Sequence, residues 1–221
     1  MQSRKHFTEE LSRLRQDILA MATRVEENLG KALVALRTRN LELAEKVRDA
    51  DAEVDALQKK IEADTAMLIA TQQPVARDLR EVITIFKLTS NIERAGDHAV
   101  HLSRAARKLA KKSDSPFSAQ GHLEKMAEMG QLMLRTAISA YMTQDAQAAR
   151  AAAEMDIKID AEHEELTKKI LKLMKKNPDL VKSAFQILHT SSQLERLGDH
   201  ITNICEAVIY MLEGRHEDLN E

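Results

Sequence analysis

The sequence predicts an all-α protein of six long helices, arranged as two tandem three-helix bundles. The chain of 221 residues has only six glycines, three prolines and 3% aromatic residues, and it lacks tryptophan. Alanine, leucine, lysine, glutamate and arginine dominate instead, a composition typical of long helices packed by aliphatic side chains. The motif E-R-x-G-D-H occurs at 93–98 and again at 195–200. The chain is therefore predicted to be two copies of one unit.

Apolar periodicity and capping residues place the helices along the chain. Asn40 and Asp145 are good N-caps, and Pro74 is suited to the start of a helix. The six predicted helices are 7–37, 40–71, 74–111, 121–142, 145–176 and a last one from 178 or 179 to 213. The only linker-like stretch, 112–118, divides a first repeat (1–113) from a second (114–221). Short connections within each repeat make neighbouring helices antiparallel.

Charge and hydropathy exclude several classes of function. A net charge of −2 with 31% charged residues gives a mixed surface that favours neither nucleic acid nor membrane as a partner. No apolar run reaches the roughly 18 residues needed to span a bilayer, and the first residues lack an apolar signal region. We expect a cytoplasmic protein. The single cysteine, Cys205, cannot form an internal disulfide and shares a helical face with apolar residues, so it is predicted to lie in the core.

Each repeat carries two acidic pairs spaced i, i+4, which places both carboxylates of a pair on one helix face, about 40° apart. In the third and sixth helices the pair continues the apolar stripe and therefore occupies core-side positions, where an unpaired carboxylate is costly. The pairs are Asp51 with Asp55 and Glu93 with Asp97 in the first repeat, and Asp156 with Asp160 and Glu195 with Asp199 in the second.

If adjacent helices bring these pairs together, four carboxylates converge in each repeat. Converging carboxylates raise each other's pKa, and iron, zinc, manganese or magnesium ions would resolve that conflict. The alternative is that the glutamates pair with the arginines that follow them, or with lysines of a neighbouring helix. Four acidic pairs in repeat-related positions favour the metal interpretation.

Other residues of the repeated motif surround the acids. A glycine inside a helix costs about 1 kcal/mol relative to alanine, so Gly96 and Gly198 are expected to admit a neighbouring backbone. His98 and His200 lie about 140° round the helix from the glutamates. They are expected to support the site or to lie between helices rather than to bind metal.

Two arginines and one histidine also stand beside the acidic pairs. Arg94 and Arg196 point away from the acidic face and are expected to orient neighbouring carboxylates. His101 lies one turn beyond Asp97, where the second repeat has Asn203. An imidazole there would favour zinc or iron over magnesium, while a histidine that only forms a local hydrogen bond is equally consistent with the sequence.

These residues resemble the PhoU family, accessory regulators of high-affinity phosphate uptake. Its members have two copies of a three-helix bundle, each with a pair of E(D)xxxD motifs that bind multinuclear metal clusters. All four acidic pairs match, and the resemblance covers nearly the whole chain, including Q-P at 73–74 and D-L-R at 78–80. The usual asparagine after the second motif stands at Asn203, with His101 as its counterpart. The resemblance implies divalent or trivalent metal ions, iron or zinc ahead of manganese or magnesium.

The resemblance also implies a regulator without catalysis. Such proteins associate with the ATPase subunit of the phosphate ABC transporter and with the phosphate-sensing histidine kinase, repress phosphate-starvation genes, and form homodimers or higher oligomers. The sequence offers no nucleophile with an oriented base, no phosphate-binding loop and no CxxC pair. Two alternatives are a ferritin-type di-metal storage protein or oxidase, whose Glu-x-x-His motifs are missing beside the acidic pairs, and a helical adaptor whose acids form ion pairs.

Overall fold

The structure, a computed structural model, describes residues 2–110 and 119–220, with side chains from residue 4 onward. Regular secondary structure in these ranges is helical, which confirms the predicted all-α class. The linker 112–118 and the predicted boundary at 113/114 lie outside the described residues. The helices are α1 (Gln2–Thr38), α2 (Leu41–Gln72), α3 (Ala76–Ala110), α4 (Gln120–Thr143), α5 (Ala146–Ala153), α6 (Asp156–Lys176) and α7 (Val181–Glu213), with a 3₁₀ turn at Pro178–Leu180 before α7.

Two helix starts follow the predicted capping chemistry. The Asn40 side chain accepts a hydrogen bond of 3.0 Å from the backbone N–H of Leu43. The Asp145 carboxylate accepts bonds of 2.9 and 3.0 Å from the backbone N–H groups of Gln147 and Ala148. Each cap satisfies backbone donors that the first helical turn leaves without intrahelical partners. The sequence therefore placed both starts correctly.

The fifth predicted helix, 145–176, is interrupted, and its predicted continuity is wrong. At the interruption the Met155 N–H donates to the Ala152 carbonyl and the Lys158 N–H donates to the Met155 carbonyl, both at 3.1 Å. These are i→i−3 bonds, so the helix tightens for one turn and divides into α5 and α6. No glycine or proline stands there. α6 restarts at Asp156, whose side chain is buried against α7, so tertiary packing overrides local helix propensity.

The two bundles pack side by side. α1, α2 and α3 pack on one another, α5, α6 and α7 each pack on α4, and the halves join along α3–α7 and α1–α4. Buried apolar side chains from both halves form one continuous core, which includes the fully buried Cys205 as predicted. The two E-R-x-G-D-H motifs meet along the α3–α7 contact, since the rings of His98 and His200 are 5.5 Å apart. In the described part of the chain, no helix is long and apolar enough to cross a membrane.

Candidate metal centres

The first acidic site lies between α2 and α3. Its four acids, Asp51, Asp55, Glu93 and Asp97, are partly buried. Burial raises the pKa of Asp51, and repulsion from Asp55 and Asp97 adds to the effect. Burial and then Asp97 raise the pKa of Glu93 in the same way. Carboxylates of both helices therefore act on one another, and α2 and α3 bring the two pairs to one place.

Arg94 partly neutralises this first site. Its Nη1 lies 3.2 Å from Asp97 Oδ2 and its Nε lies 3.6 Å from Glu93 Oε2. Arg94 therefore pairs with two acids of this site, and its expected orienting role stays a prediction. Because the arginine side chain is 56% exposed, these ion pairs contribute little stability. Asp51 and Asp55 form no salt bridge to any residue in the described ranges.

The second acidic site, between α6 and α7, is centred on a buried carboxylate. Asp156 is only 7% exposed, and its Oδ2 accepts a 3.0 Å hydrogen bond from the Thr202 hydroxyl. Its Oδ1 has no hydrogen-bond partner. Burial raises the pKa of Asp156 to about 7, against the opposing effect of the Thr202 bond, and repulsion from Asp160 adds to the rise. A protonated and an ionised form therefore coexist near neutral pH in the metal-free protein.

The other acids of the second site lack a cation partner. Burial, followed by repulsion from Asp199, raises the pKa of both Asp160 and Glu195. None of these three acids forms a salt bridge within residues 2–110 and 119–220. Arg196, the counterpart of Arg94, forms none either, and its expected orienting role stays a prediction.

The two motif glycines face different neighbours. A Cβ atom at Gly198 would lie 1.9 Å from Asp156 Oδ1, so the buried carboxylate occupies the space that any side chain would need. A Cβ atom at Gly96 would lie 3.4 Å from Val25 and 3.5 Å from Val54, which are ordinary contacts. The expectation that both glycines admit a neighbouring backbone is wrong, because at Gly198 the neighbour is a side chain.

The C-terminal segment borders the second site, which the sequence reasoning missed. Three contacts hold it: the Leu219 N–H donates to Glu206 Oε1 at 2.8 Å, Asn220 Nδ2 donates to Asn203 Oδ1 at 3.4 Å, and Arg150 lies 2.8 Å from Glu217. The segment closes one side of a cavity of about 410 Å³. The acids that line this cavity are Glu154, Asp156, Asp160, Asp199 and Asp218. Nothing in the spacing of Asp218 marked it as a neighbour of the repeat motifs.

The histidines lie between α3 and α7. The ring of His98 is 5.9 Å from that of His101 and 5.5 Å from that of His200. His98 and His200 are thus interhelical groups, as predicted. His101 lines a cavity on the α7 side of α3, together with Asp97 and Arg196.

The donor set suits metal, although the side chains are not arranged around an ion. As placed, no three His, Cys, Asp or Glu side chains within 2–110 and 119–220 stand close enough together to hold one. The chemistry of the residues nevertheless fits: each site offers carboxylate oxygens, the ligands that hard cations prefer. The unpartnered Oδ1 of buried Asp156 is an oxygen that a cation would satisfy.

The fold and these sites define a class: paired three-helix bundles with two acidic i, i+4 motifs in each. The chain belongs to the PhoU family, since the model of the PhoU domain matches residues 18–106 and 123–208.

Individual proteins support this assignment over the full length. The chain is 30% identical to the phosphate-specific transport system accessory protein PhoU homolog of Clostridium acetobutylicum over 99% of this chain and 100% of the relative. It is 35% identical to the homolog of Streptococcus pneumoniae, covering 98% and 100%. The crystal structure of PhoU from Pseudomonas aeruginosa matches with a TM-score of 0.91 at 31% identity, covering 95% of this chain and 100% of that one. The phosphate transport system regulatory protein PhoU from Streptococcus pneumoniae matches with a TM-score of 0.87 at 34% identity, covering 96% and 99%.

Proposed function

We propose that this protein is a metal-binding, cytoplasmic, non-catalytic regulator that represses phosphate uptake and the phosphate-starvation response. The full-length match to proteins named as accessory or regulatory components of phosphate transport carries the proposal. The match includes both repeats, so the regulatory role does not rest on a shared fragment. Among the described residues, no helix is long and apolar enough to span a membrane.

The proposed partners are the ATPase subunit of the phosphate ABC transporter and the phosphate-sensing histidine kinase. Repression would then result from protein contacts that limit transport and hold the kinase in its repressing state when phosphate is plentiful. The protein would act as a homodimer or a higher homo-oligomer.

The proposed metal sites use the four acidic pairs, with iron or zinc ahead of manganese or magnesium. Asp51 and Asp55 would supply one wall of the first site, and Glu93 and Asp97 the other. A bound cation would neutralise carboxylates whose pKa values burial and mutual repulsion raise. It would thereby tie the outer helix of each bundle to the central one, giving partners a rigid surface.

The second site would use its acids in the same way. Asp156 and Asp160 on α6 face Glu195 and Asp199 on α7. The chemistry that the ion supplies is charge neutralisation and cross-linking, while the chain's own part is to hold carboxylates at fixed backbone positions.

The test is a phosphate-starvation reporter measured in phosphate-rich medium. We expect the reporter to be active in a strain that lacks the protein and silent when the wild-type gene is restored. The double variant Asp97→Asn with Asp199→Asn should leave the reporter partly active, because each site loses one ligand charge. The control is Asp64→Asn with Asp179→Asn, which changes one exposed acid in each half, outside both sites, and should restore full silence.

Two results would decide against parts of the proposal. A silent reporter in the deletion strain would reject the regulatory role. Full silence in the Asp97→Asn, Asp199→Asn strain would keep the regulatory role and reject a requirement for metal.

A further inference from the structure

A cavity lies between α3 and α7, where the two repeated motifs meet. It is separate from both acidic sites, although Asp97 lines it. It has a volume of about 480 Å³. Arginine and histidine side chains from both repeats supply most of its lining, which consists of Arg94, Asp97, His98, His101, Gln193, Arg196 and His200. Arg94 and Arg196 occupy equivalent positions of the repeat, so the cavity receives one guanidinium from each half of the molecule.

One ring nitrogen of a buried histidine in this wall lacks a hydrogen-bond partner. His98 is only 5% exposed, and its Nδ1 has no partner in the structure. A buried polar atom without a partner is costly, so such an atom on a cavity wall points to a ligand that completes its bonding. The ring also forms a hydrogen bond with the Gln193 side chain, so Nδ1 is the ring atom that remains for a ligand.

The charges around the cavity favour an anion over a cation. Arg196 forms no salt bridge in the described ranges. The neighbouring cavity, which shares His101 and Gln193 with this one, adds Arg104 and Lys108, which form none either. Asp97 is the one carboxylate in the lining, and Arg94 already pairs with it. The remaining positive charge has no protein partner in the described chain.

We propose that this α3–α7 cavity binds a small phosphate-type oxyanion, with Arg94 and Arg196 as its charged clamp and His98 as a hydrogen-bonding group. The planar guanidinium is suited to this task because it binds phosphate oxygens through two parallel hydrogen bonds. The site depends on neither the regulatory role nor a bound metal. It would join the two halves across their central contact, so that occupancy would stabilise the packing of α3 against α7.

The experiment is calorimetric titration of inorganic phosphate into chelator-treated full-length protein at constant ionic strength. Removal of metal excludes binding through the acidic sites, so a phosphate signal reports this cavity. We expect wild-type binding in the millimolar range or tighter, and at least about tenfold weaker binding in Arg196→Gln, since hydrogen bonds to charged groups contribute roughly 1.5–3 kcal/mol. Arg196 is exposed, so the substitution leaves the core intact.

Two control variants separate a built site from general electrostatics. Lys59→Gln removes one exposed positive charge from α2, outside the cavity, and should bind phosphate like the wild type. Arg196→Lys keeps the charge but loses the bidentate geometry, and should bind more weakly than the wild type. A second titrant, pyrophosphate, offers one phosphate group to each of the two arginines that line the cavity. Tighter pyrophosphate binding that Arg196→Gln abolishes would support the same site and favour a ligand with two phosphate groups.

Either of two outcomes would overturn the proposal. One is that wild-type protein binds neither phosphate nor pyrophosphate under these conditions. The other is that Arg196→Gln and Lys59→Gln weaken binding equally, which would show a diffuse charge effect without a defined site.

Discussion

The two acidic sites come from one repeated sequence, yet their central aspartates have different surroundings. In the first site, Asp51 is partly exposed and Oδ1 lies 3.9 Å from the position of a Cβ atom at Gly96. In the second, Asp156 is buried, accepts a hydrogen bond from Thr202, and fills the space above Gly198. The second site is thus the more enclosed of the two.

Single substitutions between the repeats explain the difference. The counterpart of Thr202 in the first repeat is Val100, which has no hydroxyl to hold Asp51. The counterpart of Asn203 is His101, which faces His98 and the central cavity instead of the C-terminal segment. The comparison teaches that a repeated motif fixes which groups converge, while residues beside the motif decide how deeply each group is buried.

The largest expected difference between the sites is the response to a glycine substitution. Gly198→Ala should destabilise the protein by about 1–3 kcal/mol, because the new methyl group would displace Asp156 from its Thr202 contact. Gly96→Ala should be neutral or stabilising by up to about 1 kcal/mol, since its neighbours leave room and alanine is the better helix former. Urea unfolding of both variants measures the contrast. Equal effects in the two variants would contradict the different packing of the sites.

A smaller difference should appear in the pH dependence of metal-free stability. The pKa of Asp156 is about 7 in the folded protein against an ordinary value of 3.8. Between these values the folded state binds more protons at this group than the unfolded state. Its contribution to the free energy of unfolding therefore falls as pH rises from about 4 to 7, by at most about 1.4 kcal/mol per pH unit.

Asp156→Asn should remove the pH-dependent contribution of this carboxylate. The unfolding free energy of chelator-treated protein should therefore fall less between pH 4 and 7 than in the wild type. Asp51→Asn is the matched change in the first site. It should flatten the profile less, because Asp51 is less buried than Asp156. An Asp156→Asn profile parallel to that of the wild type would show that the buried carboxylate does not titrate in this window.

Local signals in the sequence predicted much of the fold. Asn40 and Asp145 cap their helices through contacts two or three residues away, so the sequence alone was sufficient there. The interruption at Met155 was not predictable, because it depends on how Asp156 packs against Thr202, 46 residues later. The acidic pairs were found by their spacing. The reason for Gly198 was missed, since a contact between helices has no signature in the sequence of either one.

The residues around the two acidic sites also differ in how far the sequence predicts their contacts. The ion pairs of Arg94 join residues one and three positions apart, but Arg196 has the same spacing and forms no salt bridge in the described ranges, so spacing alone does not predict them. The C-terminal segment was not predicted, because its contacts with Glu206 and Asn203 depend on how the chain turns back after α7. The α3–α7 cavity was not predicted either, since it exists only where these two helices meet.

The central claim, that each repeat holds its own carboxylate metal site, is tested most directly by elemental analysis of protein purified without chelator. Wild-type protein should contain bound metal, Asp97→Asn should lose the share held by the first site, and Asp199→Asn should lose the share held by the second. The double variant should lose both shares, while Asp64→Asn with Asp179→Asn should retain the wild-type content. Wild-type metal content in the double variant would contradict the assignment of both sites.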